Sequence, residues 1–349
     1  MFLRREEINE FIGSMKEAGR GREVMNISDE VSLLIEKITC RMLFGTEIKE
    51  RERFNFKPLV EEGLRLIGSF NVNDYLPFMK VFDFQGMTLR AKDVTKLMDN
   101  HLDRIIDEHE QEASAHQEHH KDFANVLMSL MKSYYANGKP LDRTEIKVVI
   151  LDLIGGTWET SATAIEWALK EVLRHRRVLK QLQEELAKAV GMDRMVEESD
   201  LAKLPYLDMV LRESMRLHPF VPLIPRESVE DVTIRGFCIP KKSRIIVNVW
   251  AVGRDTNVWS DNVEEFNPER FVNNNIDLRG HSYQLIPFGA GPRQCPGLEL
   301  GFRTVKIVFA QLLHCFNLEL PNGMDADMQE RFGGKANPLL VVPTYRLSN

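Results

Sequence analysis

One cysteine, Cys295, lies in a segment dense in glycine and proline, PFGAGPRQCPG at residues 287–297, immediately before a long apolar helical pattern. A cysteine just ahead of a helix lies near unpaired backbone amides and the positive end of the helix dipole, and both stabilise a thiolate. Arg293, two residues earlier, can bind a carboxylate with two parallel hydrogen bonds. The segment therefore offers a thiolate, a cation and glycines that let the backbone lie flat against a large planar ligand.

Four kinds of chemistry compete for this segment. A dinucleotide-binding loop is disfavoured because Gln294 stands where the third glycine of G-x-G-x-x-G belongs, and because Pro292 removes an amide that would face phosphate. A cysteine nucleophile would need a base, and neither His218 nor His281 lies in a recognisable protease setting. An inert buried thiol leaves the flanking glycines and prolines unexplained. The segment therefore favours a metal-bound thiolate.

Helical patterns make up most of the elements that must position this segment. Apolar residues recur at three- and four-residue spacing from residue 5 to about 170, and EIKVVILDLIGGTWETSATAIEWALKEVLRH predicts one helix buried along its length. After Pro219, VTIRGFCIPKKSRIIVNVW alternates and predicts short strands in a hairpin around a Pro-Lys-Lys turn. Because the chain shows no repeats and no linker, residues 1–349 are predicted to form a single mainly α domain with small β-sheets.

Composition narrows the class of protein. The 349 residues carry a formal net charge of -6, so no extended nucleic-acid surface is expected. The four cysteines are far apart and form no C-x-x-C pair, which argues against a disulfide framework and a structural zinc site. No run approaches the roughly 20 apolar residues that span a bilayer. The charged start lacks the apolar stretch of a signal peptide.

The cysteine segment carries a family resemblance. Residues 288–297 resemble the haem-binding loop of cytochrome P-450, the haem-thiolate monooxygenases, in the pattern F-x-x-G-x-R-x-C-x-G. The resemblance implies that Cys295 is the axial thiolate ligand of a haem b iron. Arg226, in the segment PLIPRES, is similar to the arginine that meets a haem propionate. The loop residues that would hold the cofactor are Phe288, Gly291, Arg293 and Gly297.

Glu213, Arg216 and Arg270 extend the resemblance. Glu213 and Arg216 form E-x-x-R in a helical pattern, and Arg270 follows in FNPERF, as in the Glu-Arg-Arg cluster that locks the structure behind the haem loop. Without the resemblance, an ion pair at this i, i+3 spacing would be worth only about 0.5 kcal/mol. The order of these motifs along the chain gives them their meaning.

The long helical pattern also matches the family. GTWETS resembles the motif [AG]-G-x-[DE]-T-[TS] that lies above the haem, which implies a proton-relay role for Glu159 and Thr160. Thr157 departs from the pattern because it stands where the second glycine is expected. FNVNDYLPFMKVFDFQG and CFNLELPNGM are similar to segments of the plant microsomal branch, so the resemblance covers essentially the whole chain.

The resemblance implies a complete activity. We expect a monooxygenase that inserts one oxygen atom of O2 into a small apolar organic substrate of the plant secondary-metabolite kind. NADPH-cytochrome P-450 reductase would supply the electrons by docking on the cysteine side, near Arg303 and Lys306. Full-length members work at the endoplasmic reticulum membrane, on its cytosolic face. The candidate substrate-pocket residues are Trp158, Val221, Leu223 and Leu339.

The resemblance begins inside the family pattern. The expected membrane anchor, early strands and W-x-x-x-R helix have no counterpart, so the chain is predicted to be an N-terminally incomplete cytochrome P-450 fold without an anchor of its own. One wall of the haem site would then be open, and activity would be impaired or lost. Two other readings stay open: a haem binder without catalysis, and a cysteine hydrolase using Cys295 and His218.

Overall fold

The computed structural model describes residues 2–45, 56–76, 78, 82–114, 122–131, 141–260, 262–274, 276–321 and 337–348. Helices make up most of these residues. The α-helices are α1 (Phe2–Gly21), α2 (Ile27–Phe44), α3 (Phe56–Gly68), α4 (Val72–Tyr75), α5 (Met87–Ser114), α6 (Phe123–Met131), α7 (Arg143–Arg174), α8 (Arg176–Val190), α9 (Pro205–Leu217), α10 (Val249–Val252), α11 (Thr256–Trp259) and α12 (Leu298–Cys315). The strands are β1 (Met25–Asn26), β2 (Leu223–Glu227), β3 (Val232–Ile234), β4 (Phe237–Ile239), β5 (Arg244–Asn248), β6 (Phe316–Glu319) and β7 (Leu340–Tyr345). The predicted mainly α fold with small sheets is confirmed.

The chain divides into two compact units. The first comprises Met1–Glu7 and Leu34–Glu159, and the second comprises Ile8–Leu33 and Thr160–Asn349. Helix α7 contributes its first half to the first unit and its second half to the second unit. The cysteine segment and the Glu-Arg-Arg residues all belong to the second unit.

Helix α7 is buried on one face in its first half and on most sides in its second half. Ile146, Ile150 and Ile154 recur at a spacing of four and lie in the core of the first unit. Val148, on the opposite face, is 51% exposed. After residue 160, apolar side chains on all sides of the helix are buried, including Trp167. The predicted burial along the whole length is therefore correct only for the second half.

Helix α12 forms much of the core of the second unit. Its buried apolar side chains include Val305, Phe309 and Leu312, the central part of an apolar stripe along the helix. The helix runs directly into β6, which pairs antiparallel with β7 in a sheet of order β1-β7-β6. All strand pairings in the described residues are antiparallel. The parallel sheet that a dinucleotide-binding loop needs is not present among them.

The hairpin after Pro219 turns at a different place from the one predicted. Strands β3 and β4 pair across Arg235 and Gly236, which have φ angles of 50° and 83°. Two positive φ angles in a two-residue loop match the right-handed twist of a hairpin. Strand β5 follows the predicted Pro-Lys-Lys turn but pairs with β2. The sequence showed alternation but could not show the partner of β5, because β2 lies beyond the local segment.

Within the part of the chain that the structure describes, no helix combines the length and the apolar composition needed to cross a membrane.

Candidate functional site

Cys295 lies on a closed loop at the start of α12. The Cys295 amide donates to the Phe288 carbonyl at 2.9 Å, and the Gly289 amide donates to the Ile286 carbonyl at 2.9 Å. A 3-10 turn, Gly291–Arg293, lies inside this closure. The Cys295 side chain is exposed, so the reading of an inert buried thiol is wrong. Helix α12 begins three residues later, which places the thiol near the positive end of its dipole.

Glycines leave space around the thiol. Gly289 and Gly291 have φ angles of 71° and 73°, a backbone conformation that side chains with a Cβ adopt at a cost. A Cβ built on Gly297 would stand 3.6 Å from the Cys295 sulfur, so a longer side chain there would press on the thiol. A Cβ on Gly291 would meet no atom within 4 Å. The loop therefore presents its thiol and part of its backbone to open space.

Two guanidinium groups accompany the loop. Arg226 on β2 brings its Nη2 within 3.7 Å of the position that a Cβ on Gly289 would take. Its Nη1 donates to the Pro225 carbonyl at 2.9 Å. Arg293 lies in the 3-10 turn of the loop, and both arginines are exposed. One guanidinium group, that of Arg293, therefore lies in the loop that carries the thiol, and the other, that of Arg226, lies beside it. Both groups suit carboxylates.

Phe288 ties the loop to the core. Its ring and that of Phe302 on α12 are arranged edge to face, with their centroids 6.5 Å apart. Both rings pack against a buried cluster that contains Met215 and Leu285. Through Phe288, the loop is therefore packed against α9, which carries Met215, and against α12, which carries Phe302.

Glu213, Arg216 and Arg270 form one buried cluster. Glu213 is 0% exposed; its Oε2 accepts from Arg216 Nε at 2.7 Å and its Oε1 accepts from Arg270 Nε at 2.9 Å. The Asn267 amide also donates to Glu213 Oε1, at 2.9 Å. Arg216 Nη1 donates to the Gly253 carbonyl at 2.7 Å. The structure thus brings the three side chains together in one ionic cluster.

The carbonyl partners of these arginines are residues that sequence reasoning missed. Arg216 also donates to the Val263 carbonyl at 2.7 Å, and Arg270 donates to the Trp259 carbonyl at 2.9 Å. Backbone acceptors leave no mark in the side-chain pattern. The segment from Gly253 to Gly291 is rich in Asn, Asp and Pro, which indicates irregular backbone whose carbonyls need donors from elsewhere.

The GTWETS segment lies within α7 without a break in the helix. Glu159 is buried and Thr160 is half-buried. The Thr157 hydroxyl donates to the Leu153 carbonyl at 2.6 Å, and a Cβ on Gly156 would meet no atom within 4 Å. Open space therefore lies beside the helix one turn before the candidate relay.

The second half of α7 approaches α12 closely. A Cβ built on Gly301 would stand 3.9 Å from the Ser161 hydroxyl oxygen. This contact brings the residue after Thr160 to the first turn of the helix that follows Cys295. Within the second unit, Ser161 therefore lies close to the first turn of α12.

The predicted pocket residues do not all face open space. Trp158 lies in the core of the first unit, and Leu339 is 2% exposed. Val221 and Leu223 are exposed. The prediction that Trp158 and Leu339 line a pocket is therefore corrected: both are core residues. Burying a large apolar side chain in an available core is favourable.

The candidate bases for a cysteine nucleophile bind carboxylates. His218 Nε2 lies 2.7 Å from Glu171 Oε1, and the His218 ring stacks on Trp167 with centroids 4.0 Å apart. His281 Nδ1 lies 3.1 Å from Asp277 Oδ2 at the surface. None of these contacts involves a residue of the cysteine loop.

The sequence profile of the family described as cytochrome P-450 matches residues 2–345. This chain belongs to the cytochrome P-450 family. Membership implies a haem cofactor, a redox partner, O2 and a substrate, and with its named relatives it makes the chain a cytochrome P-450 monooxygenase.

Relatives with names support the family assignment. The chain is 47% identical to the cytochrome P-450 CYP736A12 of Panax ginseng, across 99% of this chain and 71% of the relative. It is 37% identical to the 3,9-dihydroxypterocarpan 6A-monooxygenase of Glycine max, across 99% of this chain and 70% of that enzyme. A zebrafish cytochrome P-450 solved with abiraterone superposes with a TM-score of 0.78 at 25% identity, covering 99% of this chain and 77% of that one.

Replacing Glu213→Gln should destabilise this cytochrome P-450 by about 3–5 kcal/mol, because two buried guanidinium groups would lose the carboxylate that compensates them. The matched control is Glu264→Gln, which removes a 69% exposed carboxylate from Arg254 and should cost no more than about 1 kcal/mol. Urea titrations of both variants measure the free energy of unfolding. Equal losses in the two variants would contradict a structural role for the buried cluster.

Proposed function

We propose that Cys295 ligates the iron of haem b through its thiolate, and that the chain inserts one oxygen atom of O2 into a small apolar organic substrate. The observation that carries this proposal is the exposed Cys295 thiol, held on a closed loop at the start of α12 with the Gly297 position clear beside it. The family membership supplies the cofactor class.

The other cysteines fit this role less well. Burial raises the pKa of the Cys315 thiol to about 12, so that this thiol stays protonated at neutral pH. Cys40 is also buried. Cys238 is exposed but lies in β4 of a hairpin, without the helix start that stabilises a thiolate. Among the four, Cys295 combines exposure with a helix N-terminus.

Arg226 and Arg293 suit the two propionates of haem. Charge-assisted hydrogen bonds from a guanidinium to a carboxylate are stronger than neutral ones and fix orientation. Arg226 lies beside Gly289 of the loop, and Arg293 is part of the loop. We therefore assign both arginines to haem binding, with Phe288 and Gly291 shaping the loop.

When bound, haem supplies the activation of O2. The residues of this chain would set the conditions for that chemistry. The Cys295 thiolate would donate electron density to the iron, and the hydrogen bond from the Cys295 amide to the Phe288 carbonyl would keep the sulfur in place. Glu159 and Thr160, adjacent in α7, would hold water by hydrogen bonds and pass protons toward the place where O2 would bind.

Glu159→Gln and Thr160→Ala should each lower the product formed per NADPH by at least about ten-fold, with more hydrogen peroxide released, because proton delivery is lost. Thr157→Ala is the matched control, since its hydroxyl is bonded to the Leu153 carbonyl within the helix. Assays of product, peroxide and NADPH consumption give the ratio. Equal coupling in all three variants would remove the relay role from Glu159 and Thr160.

We propose a small apolar plant secondary metabolite as the substrate. The relative from Glycine max acts, by its name, on 3,9-dihydroxypterocarpan. Leu223 supplies an exposed apolar side chain at the start of β2, the strand that carries Arg226, and the exposed Val221 lies two residues before it. Apolar walls with few polar groups suit a substrate of this kind.

NADPH-cytochrome P-450 reductase is the proposed electron donor, at the cytosolic face of the endoplasmic reticulum. Arg303 is exposed on the second turn of α12, after the cysteine loop. Lys306, the other expected cation, instead binds Asp208 at 2.6 Å and is partly buried, so its charge is used within the protein. Arg303 is therefore the cation on this helix that we assign to docking. Cell fractionation would test the location.

Arg303→Glu should slow reduction by the reductase about five-fold at low ionic strength, because a steering charge is reversed. Reduction by dithionite should not change. Lys180→Glu on α8, a side chain 80% exposed, is the control of equal charge change. Stopped-flow reduction rates decide; the same slowing in both variants would show an effect of net charge alone.

Cys295→Ser should abolish the far red-shifted Soret band that marks a thiolate in the ferrous-CO complex, whereas Cys238→Ser and Cys315→Ser should keep it. The chain is purified, loaded with haem, reduced and exposed to CO. Equal loss in all three variants would show that another cause removes the band. A thiolate band without substrate turnover would assign the chain as a haem binder, and thiol labelling by acyl probes without haem would favour the cysteine hydrolase.

A further inference from the structure

Residues 276–282 form a strap that contacts the cysteine loop through Gly280. Gly280 has a φ angle of 75°. A Cβ built on it would stand 2.9 Å from Ala290 Cα and 2.9 Å from the Gly289 carbonyl oxygen. Both contacts are backbone atoms of the loop, so no side chain could rotate away to make room. Any residue larger than glycine must move either the strap or the loop.

The strap is anchored to α9 and to the buried cluster on which Phe288 also packs. Arg212 Nη1 on α9 donates to the Ile276 carbonyl at 2.7 Å. The Leu278 side chain is buried in the cluster that contains Met215 and Leu285. Asp277 accepts from the Arg279 amide at 2.9 Å, which fixes the turn between these anchors. The strap is therefore held in place, and a side chain at residue 280 would displace the loop as well as the strap.

A displacement of Gly289 and Ala290 would reach the thiol. These two residues lie inside the closure that the Cys295 amide makes with the Phe288 carbonyl. Ala290 is also the N-cap of the 3-10 turn Gly291–Arg293, and this turn ends two residues before Cys295. The loop is short and closed, so moving its first half changes the position of the sulfur.

We propose that Gly280 is a positioning residue for the Cys295 thiolate, acting through the backbone of Gly289 and Ala290. This inference rests on the proposed function, in which Cys295 ligates haem iron. The absence of a side chain at residue 280 allows the strap to lie against the loop and hold the sulfur at its working place. The consequence concerns ligation and not only stability, because the strap contacts the ligand loop itself.

Gly280→Ala tests the inference against Gly236→Ala in the β3–β4 turn. Gly236 has a similar φ of 83°, but a Cβ there would meet no atom within 4 Å, so the two variants share the backbone strain and differ in the steric contact. We expect Gly280→Ala to lose haem about ten-fold faster than wild type and to convert part of its ferrous-CO band to the non-thiolate form. Gly236→Ala should keep the wild-type rate and band.

Ala290→Val enlarges the side chain on the loop side of the same contact. The substitution adds no backbone strain at a positive φ angle, since Ala290 has φ -151°. It should reproduce the spectral change, and it decides the question if Gly280→Ala gives no soluble protein. A wild-type thiolate band together with unchanged spectra and haem loss in both Gly280→Ala and Ala290→Val would overturn this inference alone. A wild-type protein that binds haem without the thiolate band would overturn the proposed function and the inference with it.

Discussion

The second unit depends on one buried carboxylate, that of Glu213. Burying this charge is costly, and the cost is offset only because Arg216, Arg270 and the Asn267 amide all donate to it. The arginines then use their remaining N–H groups on the carbonyls of Gly253, Val263 and Trp259. One ionic centre thus binds carbonyls at the ends of α10 and α11 and in the segment that follows them.

The cysteine loop inherits its position from this centre. The buried cluster next to it contains Met215 from α9 and Phe271, which directly follows Arg270, together with Leu285. Phe288 and Phe302 pack on the same cluster and connect it to the loop and to α12. The ionic centre therefore acts on Cys295 through apolar packing, which transmits displacement because a close-packed core has little free volume.

The glycines around the thiol differ in how closely other groups approach them. A Cβ on Gly280 would stand too close to the loop backbone, at 2.9 Å, whereas a Cβ on Gly297 or Gly301 would make an ordinary contact, 3.6 Å from the Cys295 sulfur or 3.9 Å from the Ser161 hydroxyl oxygen. A Cβ on Gly289 would also make an ordinary contact, 3.7 Å from Arg226 Nη2. These glycines serve different contacts, and only the positive φ of Gly280 and Gly289 adds a conformational reason for the residue type.

The sequence alone determined the family and the mainly α class, and it singled out Cys295 as the candidate ligand, because the motifs PFGAGPRQCPG, E-x-x-R, FNPERF and GTWETS are local information. Tertiary structure decided what depends on distant partners. It paired β5 with β2, placed Trp158 and Leu339 in cores, and gave Lys306 to Asp208, 98 residues away. It also placed Gly280 against the cysteine loop. Such contacts are set by packing between segments far apart in the chain, and a local pattern does not encode which surfaces will meet.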